Sequence, residues 1–99
     1  MTTKQNHKRW RLSFNSSCLN RDKNKCVFCG AKNNLDVHHI TDRHDMPNGG
    51  YATTNGITVC DDHHLKCEES IELEYSSEEL YKIINSSYSI AYKDSQNLK

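Results

Sequence analysis

Two pairs of soft ligands stand out in the chain: Cys26 with Cys29, and Cys60 with His63, each with two residues between its members. Held on a tight turn, two such side chains grip one ion, and two pairs complete the tetrahedral set that zinc takes from thiolate and imidazole. His64 and Cys67 are rival fourth ligands, Cys67 because it falls one helical turn beyond His63. A single Cys-x-x-Cys also reads as buried thiols or a redox motif, but the second pair favours structural zinc. Between the pairs lie residues that a zinc knuckle does not need: His38, His39 and Asn55, with His64 just beyond. At neutral pH one imidazole can hold a divalent metal while its neighbour takes a proton. Two adjacent histidines on a strand are more simply one core residue and one exposed residue. That simple account does not explain why Asn55 and His64 accompany them between zinc ligands.

The rest of the chain must position these groups with little apolar material. Its 99 residues suffice for one domain, yet only 34% are hydrophobic and the mean hydropathy is −0.90. Ordering the backbone costs about 1–2 kcal/mol per residue, so a small polar domain needs a staple such as a metal. No apolar run reaches membrane-spanning length. Residues Met1 to Asn15 carry charge without the apolar stretch of a secretory signal. The expected compartment is therefore cytoplasmic, where five cysteines point to metal before disulfides. The zero net charge hides an asymmetry. Residues 1–25 hold seven Lys and Arg against one acid, whereas residues 61–99 hold nine acids against four bases. A basic arm suits a polyanion, although charge alone favours a solvated tail.

Trp10, Phe14 and Cys18 recur every four residues and predict a helix from about Arg9 to Leu19, with Met1 to Lys8 disordered. Cys18 on that apolar face reads as a small core residue. Leu35 to Ile40 and Ile57 to Val59 read as short strands flanking a long loop, Asp42 to Asn55. Asp61 can cap a helix from Asp62 to about Ile71. Ser76 and Glu79 fit a capping box, after which Leu80, Ile83, Ile84, Tyr88 and Ala91 form a stripe for one helix to about Tyr92. Lys93 to Lys99 is expected to fray. The divisions are a basic N-terminal arm and helix (1–25), a core with structural zinc (26–72), and an acidic C-terminal helix and tail (73–99).

From about Leu19 to Glu69 the chain resembles the HNH endonucleases, in the zinc-bearing branch of the ββα-metal nucleases. Arg21-Asp22 followed by Cys26-x-x-Cys29-Gly30 resembles the family's first knuckle, and Asp36-Val37-His38-His39-Ile40 its first His motif. Asn55 to Cys60 resembles the Asn motif leading to the second knuckle. Cys60-Asp61-Asp62-His63-His64 resembles the last motif, with His63 where many members carry Cys. The resemblance implies that His38 and His64 are ligands of a catalytic divalent ion, His39 the general base, and Asn55 the residue that orients it through its side-chain amide. Where some members carry a further His, this chain has Glu68, which is equally an oxygen ligand or a solvated surface acid. Two imidazoles suit Zn²⁺, Ni²⁺, Mn²⁺ or Co²⁺, and a carboxylate shifts the balance to Mg²⁺ or Mn²⁺, the leading expectation.

The implied fold is α+β: a small zinc-stapled ββα-metal, treble-clef-like core with one helix before and one after. The implied activity is metal-dependent hydrolysis of DNA phosphodiester bonds, leaving 5′-phosphate and 3′-hydroxyl ends. Lys8, Arg9, Arg11, Arg21, Lys23 and Lys25 are the candidate phosphate contacts. Duplex DNA is the expected partner, no membrane is expected, and a homodimer or larger complex would have to supply strong sequence specificity. The alternatives are a non-catalytic zinc module that grips nucleic acid, and a protein-interaction zinc domain suggested by the acidic C-terminal third and its apolar stripe.

Overall fold

The computed structural model describes residues 3–61 and 75–99, with residues 3–5 described by backbone alone. The helix expected from Asp62, and with it His63, His64, Cys67 and Glu68, lies outside the described residues. The elements are α1 (Thr3–Arg21), β1 (Leu35–His39), three short 3-10 turns between Arg43 and Asn55, β2 (Gly56–Cys60), α2 (Ser77–Ile83) and α3 (Tyr88–Gln96). This mixture of helices around a two-stranded sheet bears out the α+β class.

β1 and β2 pair antiparallel, with Leu35 opposite Cys60, Val37 opposite Thr58 and His39 opposite Gly56. Side chains alternate across a strand, so each face of the hairpin serves a different layer. On one face α1 lays Phe14 and Cys18 beside Tyr51, with Trp10, Val37 and Leu98 packed around them. The close approach requires Gly56: a Cβ there would come within 2.5 Å of the Cys18 sulfur and 2.6 Å of the Phe14 ring. On the other face Ile57 and Val59 pack with Ile40, Met46, Leu80, Tyr81 and Ala91. All five residues of β2 are consequently buried.

Three expectations about the helices change. The first helix begins by Thr3, so the disorder expected before Arg9 does not apply to Thr3 through Lys8. The His7 ring lies against Trp10 at 5.4 Å and Tyr51 at 6.1 Å, which docks the early turns on the core. The C-terminal stripe is divided between two helices instead of running through one. Asn85 takes a left-handed conformation (φ 56°) that ends α2, as Asn tolerates more readily than most residues. Ser87 then caps α3 by accepting from the Ile90 N–H. The break buries Leu80 and Ala91 but leaves Ile83 and Tyr88 exposed. The predicted cap on α2 is present, with the Glu79 N–H donating to Ser76 Oγ at 3.2 Å. Helix α3 continues through Gln96, beyond the expected fraying point.

The C-terminal helices brace the long loop. Asn48 Nδ2 donates to the Ser95 carbonyl at 2.9 Å, Thr54 Oγ1 to Asp94 at 2.8 Å, and Ser86 Oγ to the Thr54 carbonyl at 2.9 Å. Residues 75–99 are thus built into the same body as the hairpin and α1.

Candidate zinc centre and catalytic site

The first knuckle is a closed turn. Gly30 N–H donates to the Cys26 carbonyl and Cys26 N–H to the Ala31 carbonyl, both at 2.9 Å. Gly30 takes a positive φ of 77° that a side chain would strain. Val27 N–H donates to the Thr58 carbonyl at 3.1 Å and fastens the knuckle to β2. Strand β2 thereby delivers Cys60 beside it. The sulfurs of Cys26, Cys29 and Cys60 all lie within 4.8 Å of one another, with Cys29 to Cys60 at 3.7 Å. Four ligands around zinc at about 2.3 Å stand about 3.8 Å apart, so three corners of such a set are in place. Burial pushes the Cys26 thiol up, but backbone N–H groups of Cys29, Cys60 and Phe28 outweigh it and bring the thiol below its ordinary value. These thiols could bind a metal such as zinc. All three candidates for the fourth ligand, His63, His64 and Cys67, lie outside the described residues.

His38 and His39 are the last two residues of β1, and alternation sends them to opposite faces. His38 is half-buried, opposite Ile57. His39 lies under α1, stacked on Phe14 at 4.5 Å and edge-on to Tyr51 at 5.2 Å. Its Nε2 is buried with no hydrogen-bond partner among the described residues. Burial, followed by the charge of Arg43, holds the imidazole below its ordinary pKa and hence neutral at pH 7.

Asn55 is fully buried and uses its whole amide. Nδ2 donates to the carbonyls of Thr41 at 3.0 Å and Gly50 at 3.1 Å; Oδ1 accepts from Thr41 N–H at 3.0 Å and Tyr81 Oη–H at 2.7 Å. None of these bonds goes to His39, which corrects the expectation of direct orientation. The amide instead cinches the two ends of the loop from Thr41 to Gly50.

No family model, curated protein or solved structure matches this chain. The chemistry must accordingly be argued from its own residues.

The six candidate phosphate contacts separate into two sets. Lys8, Arg11, Lys23 and Lys25 are exposed. Arg9 is exposed but donates to the Lys99 carbonyl at 2.6 Å. Arg21 is a correction: its guanidinium grips both oxygens of Asp22 at 2.9 and 2.6 Å and donates to the carbonyls of Thr53 and Gly56, each at 2.7 Å. Asp22 in turn accepts from Thr58 N–H at 3.1 Å. Burial raises the Asp22 carboxyl, but bonds from Arg21 and Thr58 prevail and hold it below the usual range. This pair locks the end of α1 to β2, and its donors are spent inside the protein. Cys18 is core as expected, burial pushing its thiol up to about 12.

Sequence reasoning missed Thr41, Gly50 and Tyr81. Gly50 has φ 65°, and a Cβ there would lie 2.7 Å from Asn55 Nδ2. The Gly49-Gly50 pair was the available signal. Tyr81 had none, because it falls between the stripe positions of its helix. Among the described residues, no helix is long and apolar enough to cross a membrane.

Proposed function

We propose that the chain is an HNH-type, metal-dependent DNA endonuclease that leaves 5′-phosphate and 3′-hydroxyl ends. The observation that supports this best is His39: its Nε2 is buried with no hydrogen-bond partner among the described residues, and burial holds the imidazole below its ordinary pKa. A general base must be unprotonated near neutral pH. His39 Nε2 takes a proton from water, and the oxygen attacks phosphorus in line with the departing 3′-oxygen. The P–O3′ bond breaks, and the departing 3′-oxygen takes a proton from solvent water to become the 3′-hydroxyl. Because Nε2 is buried, water reaches it only when the groups packed around it move. A divalent ion held by His38 and His64, with Glu68 as the further candidate, would offset charge on the phosphate and the leaving oxygen. The exposed cations of α1 and the segment after it would contact the DNA backbone. Zinc on Cys26, Cys29, Cys60 and a fourth ligand, His63 or Cys67, would couple metal binding to folding in so polar a chain.

Nicking of supercoiled plasmid with Mg²⁺ or Mn²⁺, with EDTA as control, tests the proposal. His39→Ala is expected to lower the rate about 10²–10⁴-fold while leaving zinc content and DNA affinity unchanged. An undiminished rate overturns the assignment of the base. A zinc module that only grips nucleic acid predicts binding with no nicking by either protein. A protein-interaction domain is the second reading, favoured by the exposed Ile83, Tyr88, Ile90 and Tyr92; it predicts no retention of DNA on a filter.

A further inference from the structure

We infer that α1 is a reading helix: it crosses the major groove of duplex DNA with Leu12 and Asn15 against base edges, and gives the protein a short preference for A·T pairs. The inference rests on DNA being the partner, as proposed above, and not on catalysis. Its basis is the order of residue types along the outer face of α1. The inner face is spent on the core, where Phe14 and Cys18 are buried with Tyr51 and Trp10 packs beside them. At 3.6 residues per turn, Leu12 lies about 160° and Asn15 about 100° around the helix from Phe14. From Leu12 to Asn20 every exposed side chain is uncharged: Leu12, Ser13, Asn15, Ser16 and Asn20. Exposed cations bound this stretch, Lys8 and Arg11 before it, Lys23 and Lys25 after it. The helix contains no Asp or Glu, whereas a helix that only faces water commonly alternates charges of both signs.

Duplex DNA offers the matching order across its major groove: phosphates, base edges, phosphates. The groove is about 12 Å wide and admits a helix about 10–12 Å across. Cations at both ends of the uncharged stretch suit the two phosphate strands, which fix register without reading sequence. The far pair stands at a set distance from α1. Asn24 N–H donates to the Leu19 carbonyl at 2.8 Å and Lys25 N–H to the Asp22 carbonyl at 3.3 Å, which holds the turn carrying Lys23 and Lys25. Arg21 and Asp22 pin that end of the helix to β2, so the reading face is carried on a rigid element. Between the cations, the Asn15 amide can accept from adenine N6 and donate to adenine N7, a pair of groups that only adenine presents in the major groove. The Leu12 side chain, 57% exposed, can pack on a thymine methyl. The two residues are three apart, about 4.5 Å along the helix axis, close to the roughly 3.4 Å step between base pairs. They therefore reach neighbouring pairs, which makes a local preference and not a long recognition site.

The test is selection of bound duplexes from a pool with a randomised centre, using the full chain in buffer without added Mg²⁺ or Mn²⁺. The parent is expected to enrich duplexes that share two neighbouring A·T pairs. Asn15→Ala is expected to lose the enrichment at one pair and Leu12→Ala at the other. Both residues are exposed and alanine favours a helix, so the variants keep the fold. Competition between the enriched duplex and one with the Asn15 pair changed to G·C gives the size of the effect. The parent is expected to discriminate about 5–150-fold and Asn15→Ala not at all, with equal affinity of the two proteins for the changed duplex. A parent that binds duplexes with no shared sequence overturns the inference and leaves α1 a phosphate contact, while DNA remains the partner. A shared sequence that both variants keep also overturns it, because the reading then lies elsewhere in the chain. A parent that retains no duplex overturns the DNA partner and the inference together, as expected of a helix that docks on protein.

Discussion

Replacing Asn55 with Asp changes the shape of the side chain very little and the hydrogen bonding greatly. The two donors that Nδ2 gives to the Thr41 and Gly50 carbonyls become an oxygen. An ionised carboxylate in this fully buried position would face two carbonyl oxygens, so the folded variant holds the acid protonated. Keeping an ordinary aspartic acid protonated at pH 7 costs about 4 kcal/mol, at 1.36 kcal/mol per pH unit above its usual value. The protonated acid can donate to one carbonyl, and the other is left unpaired at about 1–3 kcal/mol. Asn55→Asp is therefore expected to destabilise by about 5–7 kcal/mol at pH 7, comparable with the whole stability of a small domain. The sign of the pH dependence follows from a folded pKa above the unfolded one. The variant approaches the parent at low pH and falls away as pH rises, because its unfolded state loses the proton first. Between pH 7 and pH 5 the gap is expected to narrow by about 2.7 kcal/mol. Urea denaturation of both proteins at the two pH values measures it, and acid effects shared with the parent, such as protonation of cysteines, cancel in the difference. A gap under about 2 kcal/mol at pH 7, or an equal gap at both pH values, would refute the reading of Asn55 as a fully engaged amide.

Cys29→Ser is expected to abolish zinc binding and cooperative unfolding together; elemental analysis finding a zinc-free, fully folded parent would contradict the metal centre. Gly56→Ala is expected to cost about 1–3 kcal/mol through overpacking against Phe14 and Cys18, read as a lowered denaturation midpoint. Lys8→Ala with Arg11→Ala is expected to weaken DNA binding alike on all sequences and to reduce the salt slope by about 1.8, at 0.9 per phosphate. Arg9 is left out of that pair because it donates to Lys99. An unchanged slope would mean that α1 does not touch DNA.

The strands, the three thiols and the cap on α2 were legible because each rests on a local rule: β-branched runs, x-x spacing, and a serine three residues before a glutamate. The break at Asn85 was hidden by the stripe, which stayed in phase across it, although Asn-Ser-Ser is itself a stop followed by a cap. Arg21 was read by charge as a surface cation. Its partners Thr53 and Gly56 are 32 and 35 residues away, and are carbonyls that no residue type announces. Asn55 was found, but not how it acts, since three of its four bonds are to backbone atoms. Main-chain partners leave no trace in composition or periodicity.

That indifference to side chains has an evolutionary side. The amide of Asn55 grips the loop by main-chain atoms at Thr41 and Gly50, so the intervening sequence can be rewritten without loosening the grip. Asp42 caps a turn, Met46 is core and Asn48 reaches Ser95, but Arg43, His44 and Asp45 are exposed. Those three positions also lie on the loop nearest the imidazole, close enough for the charge of Arg43 to be felt there. Mutations at 43–45 are thus free to drift under selection for whatever the loop meets outside, whereas positions 50 and 55 are held by the frame. The same short segment joins a scaffold fixed by buried main-chain bonds to an exposed face at 43–45 whose side chains the core does not use.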